Sequence, residues 1–288
     1  VAVEGDDEAY VADFPSLCSR CGSACHAIPP AEARELEPVL SERLIAAFRV
    51  EDAAVDPFHL CLDNLSEALE LGGGVRLHTR VAGFDQEGGR IRRARLVNDE
   101  TGAESTIAAD LVVNAAGAWA REVAALAGIE MDLLYSKGSL LITDQRLAQR
   151  VINRLRPASD ADILVPGGTV SILGTTSVRI DRLDRIVPTV AESDAIVETA
   201  AAMVPALNAT RYIRAYAGVR PLVGSRSMDD GRALSRGFAL LDHADDGVAN
   251  FISIVGGKLT TYRLMAEKTA DLVCRRLGVE RPCLTASR

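Results

Sequence analysis

Apolar or small residues recur at Tyr262, Met265, Ala266, Ala270, Val273 and Leu277, with the helical period of about 3.6 residues. Arg275 and Arg276 fall in the last turn of this helix, and Gly278 follows as a C-terminal cap. Ahead of it, the run Phe251-Ile252-Ser253-Ile254-Val255 predicts a buried strand, and Gly256-Gly257-Lys258 joins the two. Two adjacent glycines at a strand-to-helix junction imply a backbone that turns sharply or is closely approached.

The same patterns predict helices over residues 13–24 (ending at Gly22), after Pro29-Pro30, over 58–71 behind Asp56-Pro57, and over 191–204. A first short strand is predicted over 1–3. Strand-like runs at 75–81, 91–97 and 105–108, with turns at Gly88-Gly89 and over 98–102, predict a three-stranded antiparallel meander. A short apolar strand over 111–114 leads through Ala115-Ala116-Gly117-Ala118-Trp119 into a helix reaching Gly128. After about residue 130 the pattern turns β-rich, with runs at 139–143, 211–222 and 237–242 and a hairpin over 163–174. An antiparallel-sheet region therefore reads as inserted between two pieces of an α/β region.

The length of 288 residues suits one large or two smaller domains. Hydrophobic (48%) and charged (25%) shares are those of an ordinary globular protein. A net charge of −8, without any block of Lys or Arg, argues against nucleic acid as a partner. No apolar stretch approaches the roughly 20 residues of a bilayer span, and no signal peptide is recognisable. A peripheral membrane contact through a partner stays open. The Cys18, Cys21, Cys25, His26 cluster invites a metal reading, but no second CxxC accompanies it, so no metal is expected. Six scattered cysteines fit a reducing, cytoplasmic compartment.

Candidate chemistry gathers at two junctions and one strand. At Asn114-Ala115-Ala116-Gly117 the side chains shrink just past the carboxyl end of a strand, where α/β sheets bind ligands. Tight packing of helix on strand would explain the same residues. At Gly256-Gly257, outward-facing amides with Lys258 would stabilise an anion or a developing negative charge. A glycine turn beside a solvated lysine is the alternative. Arg220 closes an otherwise apolar strand and Arg236 begins the next. Either the two arginines and Lys258 meet a phosphorylated small molecule, or Arg220 pairs with Asp229, Asp230 or Asp242.

The ordered blocks are Val112-Val113-Asn114-Ala115-Ala116-Gly117-Ala118-Trp119, Lys137-Gly138-Ser139, Gly174-Thr175-Thr176, Gly218-Val219-Arg220-Pro221-Leu222 and Gly256-Gly257-Lys258-Leu259-Thr260-Thr261-Tyr262-Arg263. Together they resemble the FAD-dependent glycerol-3-phosphate dehydrogenases, in particular the large (A) subunit of the anaerobic bacterial enzyme. The likeness runs from about residue 56 to 282, and more loosely from residue 1. It implies a glutathione-reductase-type FAD domain with an inserted antiparallel-sheet substrate domain. On that reading 1–55 and 129–248 belong to the substrate domain, and 56–128 and 249–288 to the FAD domain. It further implies oxidation of sn-glycerol 3-phosphate to dihydroxyacetone phosphate. Electrons would pass to quinone through other subunits of a membrane-associated complex on the cytoplasmic face of the inner membrane.

By the same resemblance, Val81 meets the adenine through its backbone, and Ala115, Ala116, Gly117 and Trp119 lie beside the pyrophosphate. Gly256, Gly257, Lys258, Leu259 and Thr260 face the flavin. Arg220, Arg236 and Lys258 bind substrate, with Arg220 and Lys258 at the chemistry. Two features depart from the family pattern. Leu140 stands where aerobic relatives often carry histidine, and no GxGxxG strand–turn–helix is present. The polypeptide is therefore expected to be an internal portion of the enzyme, inactive and without tightly bound FAD by itself. Two other readings remain. One is a flavin oxidoreductase of the same fold acting on an amine or hydroxy acid, and the other is a non-catalytic binding module.

Overall fold

The computed structural model describes residues 1–223 and 237–285. In chain order the first elements are β1 (Ala2–Val3), α1 (Glu8–Arg20), β2 (Cys25–Ile28), α2 (Pro30–Leu36), β3 (Leu44–Val50) and α3 (Pro57–Glu70). Then come β4 (Thr79–Glu87), β5 (Arg90–Asn98), β6 (Glu104–Ala108), β7 (Val112–Asn114), a 3-10 turn at Gly117–Trp119 and α4 (Ala120–Leu126). The β-rich stretch holds β8 (Leu133–Thr143), β9 (Ile152–Asn153), β10 (Ile163–Gly167), β11 (Val170–Gly174) and β12 (Val178–Ile180), followed by α5 (Val190–Ala201). Last are β13 (Tyr212–Val223), β14 (Phe238–Asp242), β15 (Phe251–Gly256) and α6 (Tyr262–Leu277).

Two compact units result. The first takes residues 1–62, 137–178 and 184–218. Its strands run in the order β12-β8-β11-β10-β9 with β13 also on β8, and a small sheet β1-β3-β2 accompanies them. β10 and β11 form the expected hairpin, Gly167 opposite Val170. Leu141, Leu164 and Leu173 bury the sheet against Ile196 and Ala200, one helical turn apart on α5, and against Met203 and Leu207 beyond it. The Thr189 hydroxyl accepts from the Glu192 amide at 3.2 Å and the Glu192 carboxylate accepts from the Thr189 amide at 2.8 Å, a reciprocal cap that starts α5.

The second unit takes residues 63–136, 179–183 and, among the described residues, 219–223 and 237–285. β7 pairs parallel with β15, Asn114 opposite Ser253, and β14 lies antiparallel on the other side of β15. β4, β5 and β6 form the predicted meander. Its inner residues Phe84, Ile91 and Ala94 share one core with Ala120 and Ala124 of α4 and with Phe251 and Val255 of β15. Phe84 meets Phe251 edge to face, with centroids 5.7 Å apart. The Asn250 side chain completes the join. Its Oδ1 accepts from the Ile91 amide at 2.8 Å and its Nδ2 donates to the Ile91 carbonyl at 2.9 Å.

Several elements differ from the sequence expectation. The strand expected over 75–81 is β4, which starts at Thr79 and runs to Glu87. His78 turns left-handed at φ 52°, and the Asp99 amide caps its carbonyl at 2.7 Å, so the extended chain begins only after it. Register shifts at Val81/Gly83 and Asp85/Gln86 break the two-residue alternation that would reveal the rest. Helix α1 starts five residues before the expected position, because Asp7 accepts from the amides of Ala9 and Tyr10 at 2.9 and 3.2 Å. β2, β3, β9 and β12 were not anticipated. The Leu44–Val50 run shows no period that separates strand from helix. α3 follows its predicted bounds but buries none of its side chains, and shows Phe58, Leu62, Leu65 and Leu69 to the exterior.

Candidate functional site

In the second unit, β7 and β15 lie side by side and point the same way. The turns that follow them, Ala115-Ala116-Gly117 and Gly256-Gly257-Lys258, therefore both leave the carboxyl end of a parallel pair, the usual ligand-binding end of such sheets. Gly117 has φ 58°, and a Cβ placed on it would find no atom within 4 Å, so this turn is open on its outer side. Trp119, just beyond, is exposed.

A cavity of about 360 Å³ opens beside the second turn, lined by Val219, Arg220, Pro221 and Leu222 of β13 with Gly237, Gly257 and Lys258. Two cationic side chains, Arg220 and Lys258, thus meet in one cavity although 38 positions apart in the chain. Arg220 is half-buried and Lys258 exposed. Asp242, one expected partner of Arg220, accepts from Arg276 Nε at 2.8 Å. Arg236, Asp229 and Asp230 lie outside the described residues. Val81 is half-buried on β4 opposite Leu96 and does not line the cavity; Leu259 and Thr260 are exposed on the 3-10 turn before α6.

The double glycine needs its freedom for the chain itself. Gly256 and Gly257 adopt φ 78° and 82°. A Cβ on Gly256 would stand 2.7 Å from the Gly237 carbonyl oxygen, and one on Gly257 would meet the Met265 sulfur. The amides expected to face outward are spent internally: Gly257 donates to the Gly237 carbonyl at 3.0 Å and Lys258 to the Thr261 hydroxyl at 3.1 Å. α6 starts only at Tyr262. Positive charge at this junction therefore comes from the Lys258 and Arg220 side chains rather than from these two amides.

A polar network behind the first turn had not been singled out. His243 is 2% exposed; its Nδ1 is 2.7 Å from Asp246 Oδ2 and its Nε2 is 2.9 Å from Ser253 Oγ. Asn114 Nδ2 donates to Ser253 Oγ at 3.2 Å and to the Ala120 carbonyl at 2.8 Å. The signal for it in the sequence is a serine at the centre of the apolar run 251–255, which burial penalises unless a partner waits. The cysteines are all thiols, Cys18 buried and Cys21 exposed. Among the described residues no group of three or more His, Cys, Asp or Glu is placed to hold a metal.

Residues 1–272 match the DAO family, described as FAD dependent oxidoreductase. The chain belongs to the FAD-dependent oxidoreductase family. Within it, the chain is 45% identical over 289 residues to the A subunit of the anaerobic glycerol-3-phosphate dehydrogenase of Escherichia coli (strain K12), covering 99% of this chain and 53% of that protein. It is 40% identical to the protein of the same name from Haemophilus influenzae, covering 100% of this chain and 52% of that protein. The chain thus spans about half the length of the curated relatives it matches. Among solved structures, the glycerol-3-phosphate dehydrogenase of Bacillus halodurans complexed with FAD aligns with a TM-score of 0.74 at 27% identity, over 92% of this chain and 54% of that one. The glycine oxidase of Bacillus cereus shares the fold at 18% identity and a TM-score of 0.72, over 97% of this chain and 71% of that one. For an FAD-dependent oxidoreductase, an open small-residue turn and a cationic cavity at one end of a parallel strand pair fit one flank of a flavin cofactor.

Proposed function

We propose that the protein containing this chain is an FAD-dependent glycerol-3-phosphate dehydrogenase that yields dihydroxyacetone phosphate. The observation that carries the reading is the cavity that brings Arg220 and Lys258 together, in a chain 40–45% identical to relatives so named. Two converging cations suit a phosphorylated polyol better than a monocarboxylate or a neutral amine.

In this reading Val81, the turn at Ala115, Ala116 and Gly117, Trp119, and the segment Gly256, Gly257, Lys258, Leu259 and Thr260 hold the cofactor. When bound, the flavin supplies the acceptor for a hydride leaving C2 of the substrate. Arg220 donates to the C2 oxygen and stabilises the charge that grows there as the hydroxyl proton is lost to water. Lys258 adds positive charge at the same cavity, and Arg236 holds the phosphate. The relatives are named as single subunits of their enzymes, which supports an assembly with further polypeptides. To these we assign the onward transfer to quinone and the contact with the inner membrane from its cytoplasmic face. No helix among the described residues is long and apolar enough to cross a membrane.

The test is the visible spectrum of the full-length protein, recorded anaerobically before and after glycerol 3-phosphate is added. Bleaching of the flavin by this substrate, and not by glycine or lactate, is the expected result. Bleaching by an amine or hydroxy acid alone would give the site to another oxidase chemistry. A flavin that none of these substrates reduces would make the protein a non-catalytic binder.

A further inference from the structure

Asp246, His243 and Ser253 stand in hydrogen-bonded order, as in a nucleophilic triad, yet Ser253 is 0% exposed at the centre of β15 and no substrate reaches it. The chain continues past the serine. A carboxylate only accepts, so Nδ1 carries a hydrogen and donates it to Asp246 Oδ2, which turns Nε2 toward the Ser253 hydroxyl. Ser253 Oγ in turn accepts from Asn114 Nδ2, 3.2 Å away. That leaves Asn114 Oδ1 to accept from the Ala116 amide at 3.2 Å, and the second Nδ2 hydrogen to meet the Ala120 carbonyl at 2.8 Å. One amide side chain therefore ties the middle of the 115–117 turn to the first residue of α4. Reversing it would set its oxygen against the Ala120 carbonyl oxygen and its amide group against the Ala116 N–H, so the side chain has one way round, with Nδ2 toward Ser253.

We propose that Asp246, His243, Ser253 and Asn114 form a positioning relay that fixes the 115–117 turn in the shape that receives the flavin. The inference rests on the flavin-binding reading above. These are positioning residues, acting through the turn, and Ser253 is not a nucleophile. The relay crosses the parallel strand pair, since Asn114 and Ser253 are register partners, and it ends near the surface at the half-exposed Asp246. A buried polar chain of this kind is retained only when every member is satisfied, because an orphaned group costs its full desolvation penalty, more than the net worth of its bond.

The test compares Ser253→Ala, Ser253→Thr and His243→Gln in the full-length protein. Hydrogen–deuterium exchange of the peptide covering 112–121 is read in the flavin-stripped form, and FAD affinity on reconstitution. Ser253→Ala should speed exchange and weaken FAD binding by about tenfold each, the worth of one buried hydrogen bond. Ser253→Thr, which keeps the hydroxyl, should restore both. His243→Gln breaks the chain one bond further away and should give smaller changes in the same direction; it carries the test if Ser253→Ala does not fold. Normal exchange in both broken variants, or faster exchange with unchanged FAD affinity, overturns the relay. A wild-type protein that takes up no flavin rejects the flavin-binding reading instead, while the exchange comparison still reports on the turn.

Discussion

Lys137 Nζ lies 2.9 Å from Glu192 Oε2 and 2.9 Å from the Val187 carbonyl, and both charged side chains are about nine-tenths buried. Removing one partner leaves the other charge in the interior of the first unit with only dipolar partners, the Thr189 amide and hydroxyl for Glu192 or the Val187 carbonyl for Lys137. Lys137→Met should lower unfolding stability by about 4 kcal/mol. Lys137→Met combined with Glu192→Leu should cost less than Lys137→Met alone. Denaturant unfolding of the four proteins of this cycle measures the coupling; simple additivity would show that the pair contributes nothing.

The same pair sets a pH dependence. Burial alone would raise the Glu192 carboxyl, but the Lys137 ammonium and the Thr189 hydroxyl and amide outweigh it and hold the group below its ordinary 4.5. Asp6 behaves alike: burial opposes ionisation, and Arg154 together with the Val3 amide holds the carboxyl below 3.8. A carboxyl depressed in the folded state contributes its stability in full above the unfolded value and loses it as pH falls through the folded one. Stability should therefore be flat in this term above about pH 5 and decline below the ordinary carboxylate range. Glu192→Gln should flatten that decline in acid titrations followed by circular dichroism.

Asn250 offers a second structural test. Its side chain satisfies both backbone groups of Ile91, a residue 159 positions away, and also donates to the Asp110 carbonyl at 3.1 Å. Asn250→Ala orphans a buried amide and a buried carbonyl, so a loss of about 3 kcal/mol is expected. Faster amide exchange at Ile91 would locate the effect; unchanged exchange there would refute it.

Gly256 and Gly257 should respond differently to alanine. Both carry left-handed φ, which costs any other residue about 1 kcal/mol or more. The new Cβ at Gly256 meets a backbone oxygen that cannot swing away, whereas at Gly257 it meets the end of the flexible Met265 side chain. Gly256→Ala should lose more melting temperature and more flavin than Gly257→Ala. The reverse order would mean that an outside group, rather than the chain, demands the second glycine.

Arg220→Ala tests the chemistry. Loss of one charge-assisted contact to a reacting oxygen costs about 3 kcal/mol, roughly a hundredfold in turnover. Flavin content should stay normal, because the residue lines the cavity from β13 rather than from either glycine turn. Near-normal turnover would remove Arg220 from the site.

Elements with a clean period were legible from the sequence. Residues 262–277 announce α6, and Gly278 caps it at φ 68° as expected. The meander was recognisable from its turns, although the bulges in β4 hid where that strand begins. The meeting of Arg220 with Lys258 could be suspected from charge at strand and turn ends. What escaped was whatever depends on partners distant in sequence. Nothing around His243 states that its ring reaches Ser253, and nothing around Gly257 states that its amide is taken by Gly237. Such bonds exist only once β14 and β15 are paired, and the pattern along either strand alone is silent about them.

Asn114 and Ser253, paired across β7 and β15, are 139 residues apart. At a synthesis rate of about 5–20 residues per second, β7 waits roughly 7 to 28 seconds for its partner to leave the ribosome. The first unit's segments 137–178 and 184–218 are made during that interval and can settle around Leu164 and Leu173 while β7 still shows a bare edge. Substitutions within 251–256 would accordingly reduce how much protein a cell accumulates, and how much it must shelter during translation, in addition to what they change in the molecules that finish.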